Sequence, residues 1–321
     1  MKKITQNLLI IILALFILFL ILEMGLRIYL CFRYDLPLVK RIDYNIYDSQ
    51  LGWKGKEVMG DISTKKFKIF FVGDSFTHGC GVKTEYMYFN IVKKNLDVEV
   101  FAYGGKGYGT LQEYLVIDRY IDRIKPDLIV LQVCANDFIN NVWALESASY
   151  LNNNDMLRPY YENGSIQYCL PRGPFLLKKY VIPHSRVAYC ISKVVNRFLA
   201  VLAKKGIIKT IESEIAERSA ELEQFKQSVL ITSELVDKLK KRCDKVRLIV
   251  FSVGDTEPYL RQFRLIFKNK GIKFIEEIPK IIYDAKAQGN KLLLKSDHWD
   301  EDGHKIIGEY LTEYIKSHIF G

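Results

Sequence analysis

Apolar positions in this chain fall into three kinds of pattern. The first is an unbroken run from Leu8 to Leu22, rich in Leu and Ile. That run is shorter than the roughly 20 residues that cross a bilayer. The pattern resumes past Glu23 as Met24-Gly25-Leu26, then Arg27, then Ile28-Tyr29-Leu30-Cys31-Phe32. Glu23 and Arg27 stand four apart, so they pair on one helix face near the interface. A single spanning helix over about residues 7–28 is expected. A cleaved signal peptide is the rival reading, but no small-x-small cleavage site follows the run.

The second kind is short apolar runs bounded by turn residues. They predict strands at Phe67–Val72, Val98–Ala102, Leu128–Val133, Val246–Val253 and Ile272–Ile275. The third is helical periodicity, at Tyr86–Lys94, Leu111–Ile124, Ser213–Lys241 and about Asp302–Ile319. Strands alternating with helices predict an α/β fold with a mostly parallel, five-stranded sheet in three layers. Its crossovers are right-handed. Between the third and fourth strands lies a long insertion, about 141–244. Its first half carries Pro, Asn and Tyr and reads as a lid or rim; its second half reads as one long amphipathic helix. The expected division is an N-terminal membrane anchor at 1–33, a polar and aromatic linker at 34–66, and the main domain at 67–321.

Composition narrows the function classes. With 321 residues, 49% hydrophobic and 26% charged, the chain suits one globular domain plus extras. The net charge of +10 comes from scattered lysines and arginines, apart from short clusters such as Lys238-Leu239-Lys240-Lys241-Arg242. No basic stripe interleaves with stacking aromatics, so no nucleic-acid partner is expected. A generally basic surface is the plain reading, and attraction to anionic lipid or an acidic polymer is the other. No Cys-x-x-Cys pair occurs, which argues against a zinc or redox site. Free thiols are the default, although Cys169 and Cys190 could pair in an oxidising compartment. Membrane orientation is balanced: Lys2 and Lys3 lie on one side of the apolar run, and Arg27, Arg33, Lys40 and Arg41 on the other.

The chemistry concentrates at Phe67-Lys-Ile-Phe-Phe-Val-Gly-Asp-Ser-Phe-Thr-His-Gly79. A strand runs into a turn, and Ser75 sits on the turn, where open α/β sheets place their sites. A serine hydroxyl is a weak nucleophile and needs a base and oxyanion donors. His298, in Ser296-Asp297-His298-Trp299, can supply the base. Donors could come from the Ser75 N–H, from the glycine loop Tyr103–Thr110, and from the Asn136 side chain at the end of the third strand. Each feature also has a plainer role. Ser75 could cap a helix, His78 line the rim, and His304 pack at a helix start. Asp74 and Asp137 could hold their loops, and Tyr108 and Trp299 could be packing aromatics. The glycine cluster lacks the lysine-serine ending of a phosphate loop.

Together these blocks resemble the SGNH hydrolases, also called the GDSL family of esterases and lipases. Gly73-Asp74-Ser75 is similar to the first block, Gly107 to the second, Asn136-Asp137 to the third and His298 to the fourth. The resemblance covers about 67–137 and 246–319. It implies a flavodoxin-like sheet, no metal or cofactor, and hydrolysis or transfer of ester-linked acyl groups. It also implies Ser75, His298 and Asp297 as catalytic residues, with Ser75, Gly107 and Asn136 as the oxyanion hole. Two positions depart from the pattern. Cys134 stands where the family often has glycine. Ser296 and Lys295 stand where its acid commonly sits, leaving Asp297, another residue or a backbone carbonyl to orient the histidine. The expected protein is a membrane-anchored serine esterase with its catalytic domain on the extracytoplasmic side. Its expected partners are the membrane, through the N-terminal helix, and an ester-bearing substrate, with an acetylated cell-surface glycan as the leading class. The alternatives are an O-acyltransferase of envelope polysaccharide, as in proteins resembling those of alginate acetylation, and a silent envelope-assembly scaffold. The scaffold reading requires Ser75 and His298 to stay apart.

Overall fold

The structure is a computed structural model that describes residues 2–34, 38, 47–149, 152, 157–169, 177, 181, 182, 184–289, 291–293 and 298–321. In chain order, helix α1 (Lys2–Tyr34) precedes strands β1 (Lys56–Val58) and β2 (Phe67–Gly73). A single turn, α2 (Ser75–His78), and α3 (Tyr88–Asn95) lead to β3 (Val98–Gly104) and α4 (Thr110–Ile124). Strand β4 (Leu128–Val133) and the short α5 (Asn136–Asn140) come next, followed by a hairpin of β5 (Arg158–Glu162) and β6 (Ser165–Cys169). The insertion continues through α6 (Arg186–Lys204), α7 (Ile211–Arg218) and α8 (Glu223–Arg242). The chain closes with β7 (Arg247–Ser252), α9 (Tyr259–Asn269), β8 (Lys273–Ile275), α10 (Ile278–Ala287) and α11 (Glu301–Ile315).

Six strands form the main sheet, in the order β8-β7-β4-β2-β3-β1. All neighbours pair in parallel except β1, which lies antiparallel on β3. The sheet therefore has one more strand than the sequence predicts. The sixth comes from the segment read as a linker. Lys56-Glu57-Val58 carries no apolar run, and only backbone pairing to Ala102–Gly104 makes it a strand. An edge strand of this kind, short and charged, is also what keeps a sheet from pairing with another chain. The five parallel strands take the flavodoxin-like order 2-1-3-4-5, which puts the topological switch point between β2 and β4.

Alternation along the strands explains the layers. Phe70 and Val72 point to one core, with Ile117 and Ile121 of α4, Val236 and Leu239 of α8, and Phe263 and Phe267 of α9. Ile69 and Phe71 point to the other, with Tyr88 and Val92 of α3, Ile282 of α10, and Ile307 and Leu311 of α11. With both faces covered, β2 and β4 read as continuous apolar runs, as parallel strands do.

Other expectations change. The predicted helix Ser213–Lys241 is broken into α7 and α8 at Ser219, whose backbone is left-handed (φ 43). The predicted lid contains the hairpin, which turns on Asn163 and Gly164, both with positive φ. Cys169 and Cys190 are not bonded to each other. The N-terminal helix runs longer than the predicted span at both ends, and it is long and apolar enough to cross a membrane.

Candidate active site

The site begins at the C-terminal end of β2. Asp74 caps the single-turn helix, accepting the Phe76 N–H at 2.9 Å, and Ser75 takes the first helical position. Strand β4 fixes this elbow from the side. Gln132 Oε1 accepts the Asp74 N–H at 3.0 Å and the Thr77 hydroxyl at 3.0 Å. Gln132 escapes the sequence reading, yet its signal was present as the lone polar residue inside Leu128–Val133. Strand β3 closes in from the other side. A Cβ at Gly104 would meet the His78 backbone nitrogen at 2.2 Å, so only glycine lets β3 end against this turn.

At the other end of the chain, His298 sits in a pinned turn. Leu293 and Trp299 form a bridge across it, and the Asp300 N–H donates to the Leu292 carbonyl at 3.0 Å. Phe76 packs against both the His298 ring and Trp299, each at 4.9 Å between centroids. The result is a contact across 223 residues of sequence: Ser75 Oγ and His298 Nε2 lie 2.8 Å apart. The separated arrangement that a silent scaffold requires is not what the coordinates hold. Asp297 lies outside the described residues.

The expected oxyanion donors converge on the same sheet edge. Gly107, in the loop after β3, has φ 69, a conformation that glycine adopts without steric cost. Among the described residues, neither its N–H nor that of Ser75 has a hydrogen-bond acceptor. Asn136 opens α5 just past β4. Its amide donates to the Tyr108 carbonyl at 2.9 Å and to Asn140 Oδ1 at 3.0 Å. In the resting arrangement this side chain therefore ties the glycine loop to α5.

The Gly73-Asp74-Ser75 elbow, the glycine loop and the Asn136 and His298 turns thus meet at one switch point. A family model for GDSL-like lipase/acylhydrolase matches residues 69–311. The chain belongs to the GDSL-like lipase/acylhydrolase family. It is an ester-hydrolysing enzyme. Comparison with curated proteins returned no match. Solved structures with a similar fold include the psychrotrophic esterase EstA from Pseudoalteromonas sp., at 9% identity and TM-score 0.45, covering 79% of this chain and 99% of that one. The lipase/acylhydrolase from Enterococcus faecalis has 14% identity and TM-score 0.41, covering 78% and 96%. A catalytic mutant of Axe2, an acetylxylan esterase from Geobacillus stearothermophilus, has 12% identity and TM-score 0.41, covering 78% and 94%.

Around the Ser75 turn of this GDSL enzyme, burial shifts several titratable groups toward their neutral forms. Burial pushes His78 down to about 4, helped by the charges of Lys106, Lys56 and His298. Burial likewise holds His304 down at about 3, with smaller contributions from His298 and Lys56. Its ring stacks on Tyr88 and meets Trp299 edge-on, so its role is packing, as the sequence suggests. Beneath the site lie three buried carboxyls. Burial raises Asp74 to about 6. Burial also raises Glu113 and Asp137 well above the ordinary range, and repulsion among the three carboxyls adds to it. Asp137 holds its loop by accepting the Thr110 hydroxyl at 3.2 Å.

One supporting group was not legible in the sequence at all. Trp53 donates from Nε1 to the Lys106 carbonyl at 3.1 Å, and its own carbonyl accepts the Tyr108 hydroxyl at 2.6 Å. These bonds bracket Gly107 from both sides. Arg158, from the insertion hairpin, lies over the Trp53 ring at 5.0 Å and pairs with Glu146 at 3.0 Å, both charges fully buried.

Proposed function

We propose that this enzyme is a membrane-anchored serine esterase that removes short acyl groups, acetyl foremost, from esters on cell-surface glycans. The observation that carries the reading is the 2.8 Å contact between Ser75 Oγ and His298 Nε2. That distance is within reach for general-base proton transfer. Ser75 Oγ attacks the ester carbonyl carbon while His298 Nε2 takes its proton. The oxyanion forms between the Ser75 N–H, the Gly107 N–H and the Asn136 amide, which shares a hydrogen it otherwise gives to Tyr108 or Asn140. The C–O bond then breaks, and His298 returns the proton to the departing alcohol. Water, deprotonated by the same imidazole, attacks the acyl-serine and releases the acid and free Ser75. Asp297 or a backbone carbonyl orients the imidazole.

Preference for a short acyl group is supported by the aromatic wall next to Ser75, where Phe76 packs against His298 and Trp299. The surface reading follows from α1, which leaves an apolar helix bare at the N-terminus.

The test uses the full chain in detergent. A fluorophosphonate should label it, and Ser75→Ala should abolish both labelling and release of p-nitrophenol from p-nitrophenyl acetate. Butyrate and octanoate esters should be cleaved progressively more slowly. Labelling that persists in Ser75→Ala removes Ser75 from the mechanism. A preference for octanoate removes the short-chain assignment.

A further inference from the structure

Helix α6 has an apolar face that, among the described residues, nothing covers. Ile191, Val194, Val195, Phe198 and Val201 follow the spacing of one helical stripe, and Val194 and Phe198 are 68% and 60% exposed. Five large apolar side chains in a row form a patch of the size that marks an interaction surface. Lys193 and Arg197, four apart, flank the stripe, and Lys205 follows the helix end. An amphipathic helix with a basic polar face and Phe, Ile and Val opposite is suited to the boundary between headgroups and acyl chains.

The way α6 is attached gives its depth. Every residue of α1 from Ile4 to Leu22 is exposed, and burial begins at Glu23, continuing at Leu26, Arg27 and Leu30. The part of α1 bare on every side therefore ends at Leu22; beyond it one side is covered while Met24, Ile28, Tyr29 and Phe32 stay exposed. At that boundary Glu23 captures the start of α6. Its carboxylate accepts the Arg186 N–H at 2.8 Å, the Val187 N–H at 3.0 Å and the Ser185 hydroxyl at 2.9 Å. These are donors a helix N-terminus leaves without intrahelical partners. Arg27 completes the joint, donating from Nε to Glu23 at 2.7 Å and from Nη2 to the His184 carbonyl at 2.6 Å. Glu23 is 8% exposed, so the joint is a packed one. The first turn of α6 is thereby held where one side of α1 first becomes covered by protein.

We infer that α6 is a second membrane contact: it seats its Ile191–Val201 face in the headgroup boundary of an anionic bilayer beside the point where α1 emerges. This rests on reading α1 as a spanning helix. Two features choose lipid over a protein partner. The apolar face begins at Ile191, five positions past the joint that ties Arg186 to α1, whose own exposed apolar surface acyl chains would cover. Its cationic flank, Lys193 and Arg197, complements acidic headgroups. The consequence is orientation. A domain held by one helix turns freely about it, whereas two contacts fix which side of the catalytic domain faces the bilayer.

The test places an environment-sensitive fluorophore on the full chain, one chain per nanodisc, with the unsubstituted chain as labelling background. Phe198→Cys samples the apolar face, Asn196→Cys the opposite face, and Leu15→Cys the middle of α1. Discs contain phosphatidylcholine with phosphatidylglycerol, with or without a nitroxide carried high on the acyl chain. The expected result is loss of emission at 198 and at 15, with none at 196. Quenching at 15 without quenching at 198 overturns the α6 assignment and leaves the anchor standing. No quenching at 15 overturns the anchor itself. Protection of 198 that appears only in discs holding two chains assigns the face to self-association and overturns the lipid reading.

Discussion

Replacing His304 with Phe should make the protein less sensitive to acid, and the size of the effect follows from burial. The imidazole is 1% exposed, and among the described residues its Nδ1 has no hydrogen-bond partner. Its ring centroid lies 5.9 Å from that of Tyr88, with the planes 7° apart. Burial takes it from 6.5 to about 3. A folded pKa below the unfolded one means that the unfolded chain binds more protons, so stability falls as pH drops below 6.5 and stops falling below about 3. Linkage then gives a loss of about 2 kcal/mol between pH 7.5 and 5, out of a ceiling of about 5 kcal/mol. A phenylalanine keeps a ring against Tyr88 but has no proton to bind, so whatever it costs in packing is the same at both pH values. Urea unfolding of the full chain in detergent, followed by tryptophan fluorescence, measures the difference. Wild type should lose about 2 kcal/mol more than His304→Phe on going from pH 7.5 to 5. Asp74, Glu113, Asp137 and His78 titrate abnormally in both proteins and cancel in that comparison. Parallel stability curves would refute the claim that His304 is buried as a neutral ring.

Other consequences are shorter to state. His298→Asn should lower kcat for p-nitrophenyl acetate by about 100- to 10,000-fold, the range for losing a general base, with KM little changed. An unaltered kcat would assign the base elsewhere. Trp53→Phe removes the donor to the Lys106 carbonyl and should cost roughly tenfold in kcat, a fraction of the roughly 100-fold lost with a whole oxyanion donor. A change confined to KM would make Trp53 a substrate contact instead of a support for Gly107. Arg158→Met strands the Glu146 charge in the interior and should destabilise by about 3–5 kcal/mol. Adding Glu146→Leu should recover a large part of that loss in the same urea assay, and failure to recover would mean that Arg158 acts through packing on Trp53 alone.

What the sequence could and could not disclose follows from where each piece of information resides. Parallel strands buried on both faces must be apolar throughout, so Ile69–Val72 and Leu128–Val133 announce themselves. Strand β1 does not, because its identity comes from the backbone of β3, and Lys56-Glu57-Val58 carries no periodicity to read. The break between α7 and α8 is hidden for a related reason: Ser219 adopts a left-handed backbone without a glycine or proline to advertise it. The serine and histidine were legible because chemistry restricts which residues can serve and strand ends restrict where they sit. Trp53 and Arg158 act on the site through contacts 53 and 105 positions away from the groups they support, and no local pattern encodes a contact of that kind; Gln132, 58 positions from Asp74, shows only as a polar residue inside an apolar strand. The same division separates the two halves of the functional reading. Ser75 and His298, the pair proposed for the reaction, are read from motifs, whereas the proposed orientation of the site toward a membrane rests on Glu23 meeting Arg186 and Val187, a junction of 163 and 164 positions in sequence. Motif reading can therefore point to the chemistry of this chain, but the proposed seating of the enzyme on a membrane rests on how a carboxylate in its first helix holds a helix in its insertion.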